Sequence, residues 1–165
     1  MQGPPTRQMI GLSLVAVVFL TGGCRPASHG QQRRFSDAGL ARRADATCAR
    51  GKAGTARLAP APPSASFEER AQRVEQLTDA LDRVVGALRA LAPAGQDAAF
   101  DHYVTTWQQF NVVGRQYATA IRTGDPSVYQ PAGNRGDAMT VELNRIAKAN
   151  GLSSCLAIHG GRAER

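Results

Sequence analysis

After one short uninterrupted apolar run near its start, the chain carries its apolar positions in four amphipathic stretches separated by proline- and glycine-bearing breaks. The first stretch, from about Ser36 to Leu58, has a thin inward line of Leu40, Ala44, Cys48, Gly51, Thr55 and Leu58. Gly39, Gly51 and Gly54 lower its intrinsic helicity, so packing against other elements has to hold it. Ala59-Pro60-Ala61-Pro62-Pro63-Ser64 ends it, because proline lacks the amide donor and clashes with the preceding turn. Ser66-Phe67-Glu68-Glu69 opens the second helix as a capping box, in which Ser66 and Glu69 satisfy each other's exposed amides. Its stripe, Val74, Leu77, Leu81, Val84, Leu88 and Leu91, alternates steps of three and four and forms one seam.

Ala92-Pro93-Ala94-Gly95 is the next break, and Asp97 places a carboxylate at the positive end of the third helix. There the stripe is Phe100, Tyr103, Trp107, Phe110, Gly114, Tyr117 and Ile121. In Thr123-Gly124-Asp125-Pro126, glycine supplies a left-handed stop, aspartate a cap and proline a first helical position. Pro131, Gly133 and Gly136 interrupt the fourth stretch. The expectation there is a turn or kinked start, then regular helix from about Arg135 to Asn150 on Met139, Leu143 and Ile146. Asn150-Gly151-Leu152 reads as a glycine-terminated end, with Leu152 folding back on the last turn. Together these segments predict an all-α fold, an antiparallel four-helix bundle over residues 36–156, followed by a loose polar tail at 157–165. An aromatic content of only 5% and abundant alanine suit slim helices rather than a bulky β-sandwich core.

The early apolar run, Met9 to Leu20, makes about 18 Å of helix at 1.5 Å per residue, too short for ~30 Å of hydrocarbon. It follows a polar start with a single charge at Arg7 and precedes Thr21-Gly22-Gly23-Cys24. That length and those small residues fit a secretion signal with its cleavage site. The stretch resembles the lipobox of bacterial lipoproteins, with Thr21 where that motif usually carries leucine. The resemblance implies a signal peptide at 1–23, cleavage before Cys24, and lipidation of Cys24 with palmitate-type acyl chains. An ordinary signal peptide cleaved nearby and an uncleaved anchor are the other two readings. A lone Arg7 in place of an arginine pair favours the general secretion route. Residues 24–35, polar and turn-rich, would tether the domain to the outer side of the cell membrane.

The formal charge of +7 suggests nucleic acid until it is placed along the chain. Between Arg25 and Arg57 there are eight basic residues against Asp37 and Asp45, whereas from Leu58 onward basic and acidic residues balance. The excess therefore sits beside the expected anchor, where anionic lipid attracts each basic residue by about 1 kcal/mol. A secreted location argues against nucleic acid as partner. Contact of residues 25–57 with anionic lipid and a merely solvated basic surface remain the two readings.

With Cys24 acylated, Cys48 and Cys155 are left as an even pair in an oxidising compartment. An antiparallel bundle brings the end of its fourth helix beside its first, so a Cys48–Cys155 disulfide is expected; two buried free thiols, or one reactive thiol, are the alternative. Cys48 within the first helix, the proline-rich breaks, Gly-Asp before the fourth helix and Gly-Leu-x-x-Cys at the end resemble a group of small lipid-anchored or secreted helical proteins of high-GC bacteria. The resemblance implies a helical fold and a cysteine framework over most of 36–156, and no activity.

No constellation for catalysis stands out, so an enzyme is not expected, and neither is a cofactor. His29, His102 and His159 lie in the tether, the third helix and the tail, without a second ligand at i+3 or i+4 to share a metal. Gly51-Lys52-Ala53-Gly54-Thr55 lacks the order of a phosphate loop. Glu69/Arg73 and Asp79/Arg83 read as i,i+4 pairs on a solvated face. The aromatic line is core by its spacing, yet Tyr103 and Trp107 carry polar tips and are the candidates for contact with a ligand or partner. The expected role is non-catalytic: a lipid-anchored helical domain that binds or scaffolds an envelope component, with an unidentified envelope protein or small ligand as partner. A receptor for a small soluble ligand, using an aromatic cleft around Trp107, is the alternative.

Overall fold

The computed structural model describes residues 34–58 and 61–156. The expected signal, Cys24, residues 24–33 of the tether and the tail at 157–165 lie outside them. Four helices follow one another, α1 (Ala38–Thr55), α2 (Phe67–Arg89), α3 (Ala98–Ile121) and α4 (Pro126–Ala149), and a single 3-10 turn, Ser153–Cys155, closes the described chain. Among the described residues there is no strand, and no helix is long and apolar enough to cross a membrane. The fold is the expected all-α four-helix bundle, cross-linked between Cys48 and Cys155 with 4.9 Å between their Cα atoms.

Cross-helix contacts fix the antiparallel order. Arg122 at the end of α3 reaches Glu68 and Glu75 near the start of α2. His102 near the start of α3 lies 3.8 Å from Glu142 near the end of α4. Phe35, just before α1, donates its N–H to Asn150 Oδ1, just after α4, at 2.7 Å. Helix α3 packs between α2 and α4, while α1 lies against α2 and the C-terminal turn.

The caps are those written in the sequence. Ser66 and Glu69 complete the capping box, Asp97 accepts from Phe100 N–H at 2.9 Å, and Asp125 accepts from Ser127 N–H with Pro126 opening α4. Gly124, at φ 70°, stops α3. At the end of α4, Gly151 takes φ 68°, Leu152 N–H donates to Ala147 O at 2.9 Å, and the Leu152 side chain is buried. That combination is a complete Schellman stop. At α1 the cap is Asp37, bonded to Gly39 N–H, one residue beyond the expected start at Ser36. Phe35, placed in the tether by the sequence, packs its ring edge-on against Phe100 at 5.2 Å.

The start of α4 differs from expectation. Instead of a turn before Arg135, helix runs continuously from Pro126 through Pro131, Gly133 and Gly136. Pro131 removes only the bond to the Ser127 carbonyl, and Ser127 and Pro131 are both exposed, so water can take that bond. Tyr129 packs edge-on against Tyr117 at 6.0 Å, and a Cβ at Gly133 would lie 3.6 Å from the Tyr117 ring. Packing on α3 thus holds a segment whose local sequence argues against helix.

Most large buried side chains form one cluster: Leu40, Ala44 and Cys48 from α1, Leu81 to Leu88 from α2, Phe100 to Trp107 from α3, Leu143 to Ala147 from α4, with Leu152 and Cys155. All of it lies toward the end where α1 begins.

Candidate functional site

Trp107 and Tyr103 are both 0% exposed. Their rings meet edge-on at 6.3 Å, and Trp107 continues the stack to Phe110 at 5.8 Å. Edge-to-face packing places the positive rim of one ring on the negative face of the next. Burial pushes the Tyr103 hydroxyl well above its ordinary range; the Trp107 N–H facing it opposes that shift, and the charge of Asp45 adds to it. The two residues act together as the centre of the core, and neither presents a surface to solvent.

The disulfide joins the middle of α1 to the C-terminal turn, where Asp45 strengthens the junction by accepting from Ser154 N–H at 2.7 Å and contacting its hydroxyl at 3.2 Å. Asp97 does comparable work at the opening of α1 and α3. Besides capping α3, it accepts from Ser36 N–H at 2.6 Å and from the Ser36 hydroxyl at 2.9 Å. Burial pushes the Asp97 carboxyl upward, but the bonds from Phe100 and Ser36 outweigh it and hold the group below the usual carboxylate range.

A second polar network joins α2 to α3, and the sequence reading did not foresee it. Asn111, 2% exposed, donates Nδ2–H to Asp82 Oδ1 at 2.6 Å, and Arg115 reaches both Asp79 and Asp82. Burial pushes the Asp82 carboxyl upward, but the bonds from Arg115 and Asn111 together with the Arg115 charge outweigh it, and the net is a lowered carboxyl. The i,i+4 pairs expected along α2 are not made. Glu69 is spent on the capping box, Arg73 bonds Gln76, and Asp79 is taken by Arg115 across the helix interface. Sequence spacing shows which charges can meet along one helix, but not which are outbid from its neighbour.

The outer side of α1 is the remaining constellation. Arg42, Ala46, Ala49, Arg50, Lys52, Ala53, Ala56 and Arg57 are all exposed. Arg43 is 3.5 Å from Asp37, and Arg50 donates to the Thr47 hydroxyl. Among the described residues, no carboxylate lies within ion-pair distance of Arg42, Arg50, Lys52 or Arg57. Ala49, Lys52, Ala53 and Ala56 form one wall of a shallow groove of about 430 Å³, and Ser153 and Ser154 form the other.

Each carboxylate with a shifted proton affinity, Glu68, Glu69, Glu75, Asp82, Asp97 and Asp125, is held below its ordinary range by hydrogen bonds or arginine. Such groups are structural anions; a general acid at neutral pH needs the opposite shift. Among the described residues, no three His, Cys, Asp or Glu side chains are grouped to hold a metal. His102 is exposed on α3. Set against known proteins, the chain matches no protein-family profile, no curated protein and no solved structure.

Proposed function

We propose that this protein is a non-catalytic lipoprotein of the cell envelope, held at the membrane through Cys24, whose helical domain binds or scaffolds an envelope protein through its outer surface. The observation that carries the reading is the use made of the aromatic line. Phe100, Tyr103 and Trp107 are spent on packing, which leaves outer helix faces for recognition. The polar groups fit the same picture, since the strongest hydrogen-bond networks tie helix ends and helix pairs together. A small-ligand receptor built on Trp107 would have to open the core cluster in which that side chain is 0% exposed.

Two measurements on cells making the full chain test this. Intact-mass analysis of the membrane-bound protein should find Cys24 as an acylated N-terminal residue, and Cys24→Ala should abolish both processing and acylation. An unmodified residue 24 in an otherwise processed chain would defeat the lipoprotein reading. In-cell cross-linking from exposed α3 positions such as Gln109 and Val112 should give a discrete protein adduct in the wild type. The adduct should weaken when Cys24→Ala removes the anchor.

A further inference from the structure

We propose that the outer face of α1 is a docking surface for the anionic headgroups of the membrane, and that it lays the bundle on the bilayer with α1 against the lipid. The proposal deepens the lipoprotein reading and rests on it for the orientation of the chain. At 100° per residue, Ala46, Ala49, Ala53 and Ala56 fall within a sector of about 80° on the side of α1 opposite Leu40, Ala44 and Cys48. All four are exposed, and none carries an atom beyond Cβ, so the strip is low. Arg50 and Arg57 flank it on one side, Lys52 flanks it on the other, and Arg42 continues its line toward the start of the helix. Long basic side chains standing beside this alanine strip, whose Ala49, Ala53 and Ala56 form one wall of the shallow groove facing Ser153 and Ser154, can reach phosphates.

Charge complementarity is preserved because nearby carboxylates are already engaged. Asp37 caps α1 and faces Arg43, and Asp45 is held by Ser154. Arg42, Lys52 and Arg57 are therefore left to an external anion. The strip carries no bulky apolar side chain to enter the acyl region, so attachment is electrostatic and sensitive to salt. Exposed Arg34 stands just before α1. The ten residues from Cys24 to Arg34 span at most ~36 Å, so acyl chains on Cys24 would keep this face close to the headgroups.

The test uses the full chain on lipid vesicles, with a benzophenone amino acid at position 53 or, as control, at position 109 on the exposed side of α3. Photolysis followed by mass spectrometry reads lipid adducts. Position 53 should give adducts on vesicles containing phosphatidylglycerol and at least ~10-fold fewer on neutral phosphatidylcholine vesicles. Position 109 should give few on either. The yield at position 53 should collapse in 0.5 M salt, where the Debye length is about 4 Å. It should fall more than ~50-fold in Arg42→Glu/Arg50→Glu/Arg57→Glu, since each charge near the surface is worth about fivefold. Arg73→Glu/Arg83→Glu/Arg89→Glu on α2 carries the same charge change and should leave it within about threefold. Equal yields at 53 and 109, on neutral and acidic vesicles, or in the two charge-reversed variants, would each overturn the proposal. Both charge-reversed variants share one N-terminus, so the comparison between them tests the face whether or not Cys24 is acylated. The mass of residue 24 reports separately on the lipoprotein reading.

Discussion

At the end of the bundle where α1 begins, the interior is filled by Phe100, Tyr103, Trp107, Leu81, Leu88, Leu143 and Ile146, with the disulfide at its side. From the middle of the bundle toward the opposite end, where α2 begins and α3 stops, the buried positions include Thr78, Asn111, Ala71, Ala118, Ile121 and Ala132. Large side chains at the first end hold the helices apart and bury much apolar area, at about 25 cal/mol per Å². Small ones at the second let α2, α3 and α4 approach closely. A Cβ at Gly114 would come within 3.0 Å of Thr78 Oγ1, and one at Gly136 would be 3.9 Å from Val113. Beyond Cys48, only Thr55 of α1 is buried. The distal end is tied instead by exposed charge, with Arg122 reaching Glu75 at 2.8 Å and Glu68 at 2.9 Å. Exposed pairs of that kind contribute little and weaken with salt. The comparison teaches where stability is concentrated: at the end beside the expected anchor, while the far end relies on close backbone approach, the Tyr117–Tyr129 contact and exposed ion pairs.

The largest effect should come from the cross-link. Reducing Cys48–Cys155, or replacing both residues with alanine, frees the unfolded chain from a cross-link between residues 107 positions apart. Chain-entropy estimates put that at about 4.7 kcal/mol. Urea unfolding of the oxidised and reduced protein checks this, and a difference below ~1 kcal/mol would remove the disulfide from the comparison. Next in size, Trp107→Ala should cost about 3–5 kcal/mol, whereas Ile121→Val at the distal end should cost about 0.5–1.5 kcal/mol. Comparable losses at the two sites would mean that the core is evenly distributed.

Asp97→Ala removes an α3 cap and the tie to Ser36, and should cost about 1–3 kcal/mol at neutral pH. Its sign with pH follows from the lowered carboxyl. A group held below its unfolded value contributes stability above that value, about pH 4, and loses it as pH falls through the folded value. The gap between wild type and Asp97→Ala should therefore be full at pH 6 and narrow below pH 4. A gap that widened in acid would contradict the assignment.

The smallest effects separate two glycines. Gly136→Ala meets only ordinary contacts and gains helix propensity, so it should stabilise by about 0.5–1 kcal/mol. Gly114→Ala presses on Thr78, which is buried and bonded to the Val74 carbonyl at 2.8 Å, and should destabilise. In a Thr78→Ala background the same Gly114→Ala change should become favourable. Thermal melts of the four variants read the change of sign.

What could be read directly from the residues was mostly punctuation. Ser66 with Glu69, Asp97, Asp125 with Pro126, and Gly151 with Leu152 mark helix ends through bonds made within a few residues, so local sequence contains them. The Cys48–Cys155 pairing was legible because helix order fixes which ends meet. Depth was not legible in the same way. Val74, Leu77 and Leu91 continue the α2 stripe yet are half-buried, while Ala71, Thr78 and Ala80 are buried. Period gives the inward direction, but the size of the facing residue on α3 decides how far inside a position lies. The first turns of α4 escaped for a related reason: Tyr117 and Tyr129, from two helices, hold Pro131 and Gly133 in helix against their local preference. At the candidate sites, residue type suggested polar tips on Tyr103 and Trp107. Only the packing of four helices showed both enclosed.

The most direct test of this division is amide hydrogen exchange of the oxidised protein, read by mass spectrometry on short peptides. Residues 40–48, 81–88, 100–107 and 143–147 should exchange only through global unfolding, with a free energy matching that from urea. Residues 67–78, 115–121 and 128–138 should open at a lower free energy, as expected where few large apolar contacts hold a region. Reduction of Cys48–Cys155 should erase most of the difference by lowering the first set. Uniform protection along all four helices of the oxidised protein, or slower exchange at the distal end, would contradict the account.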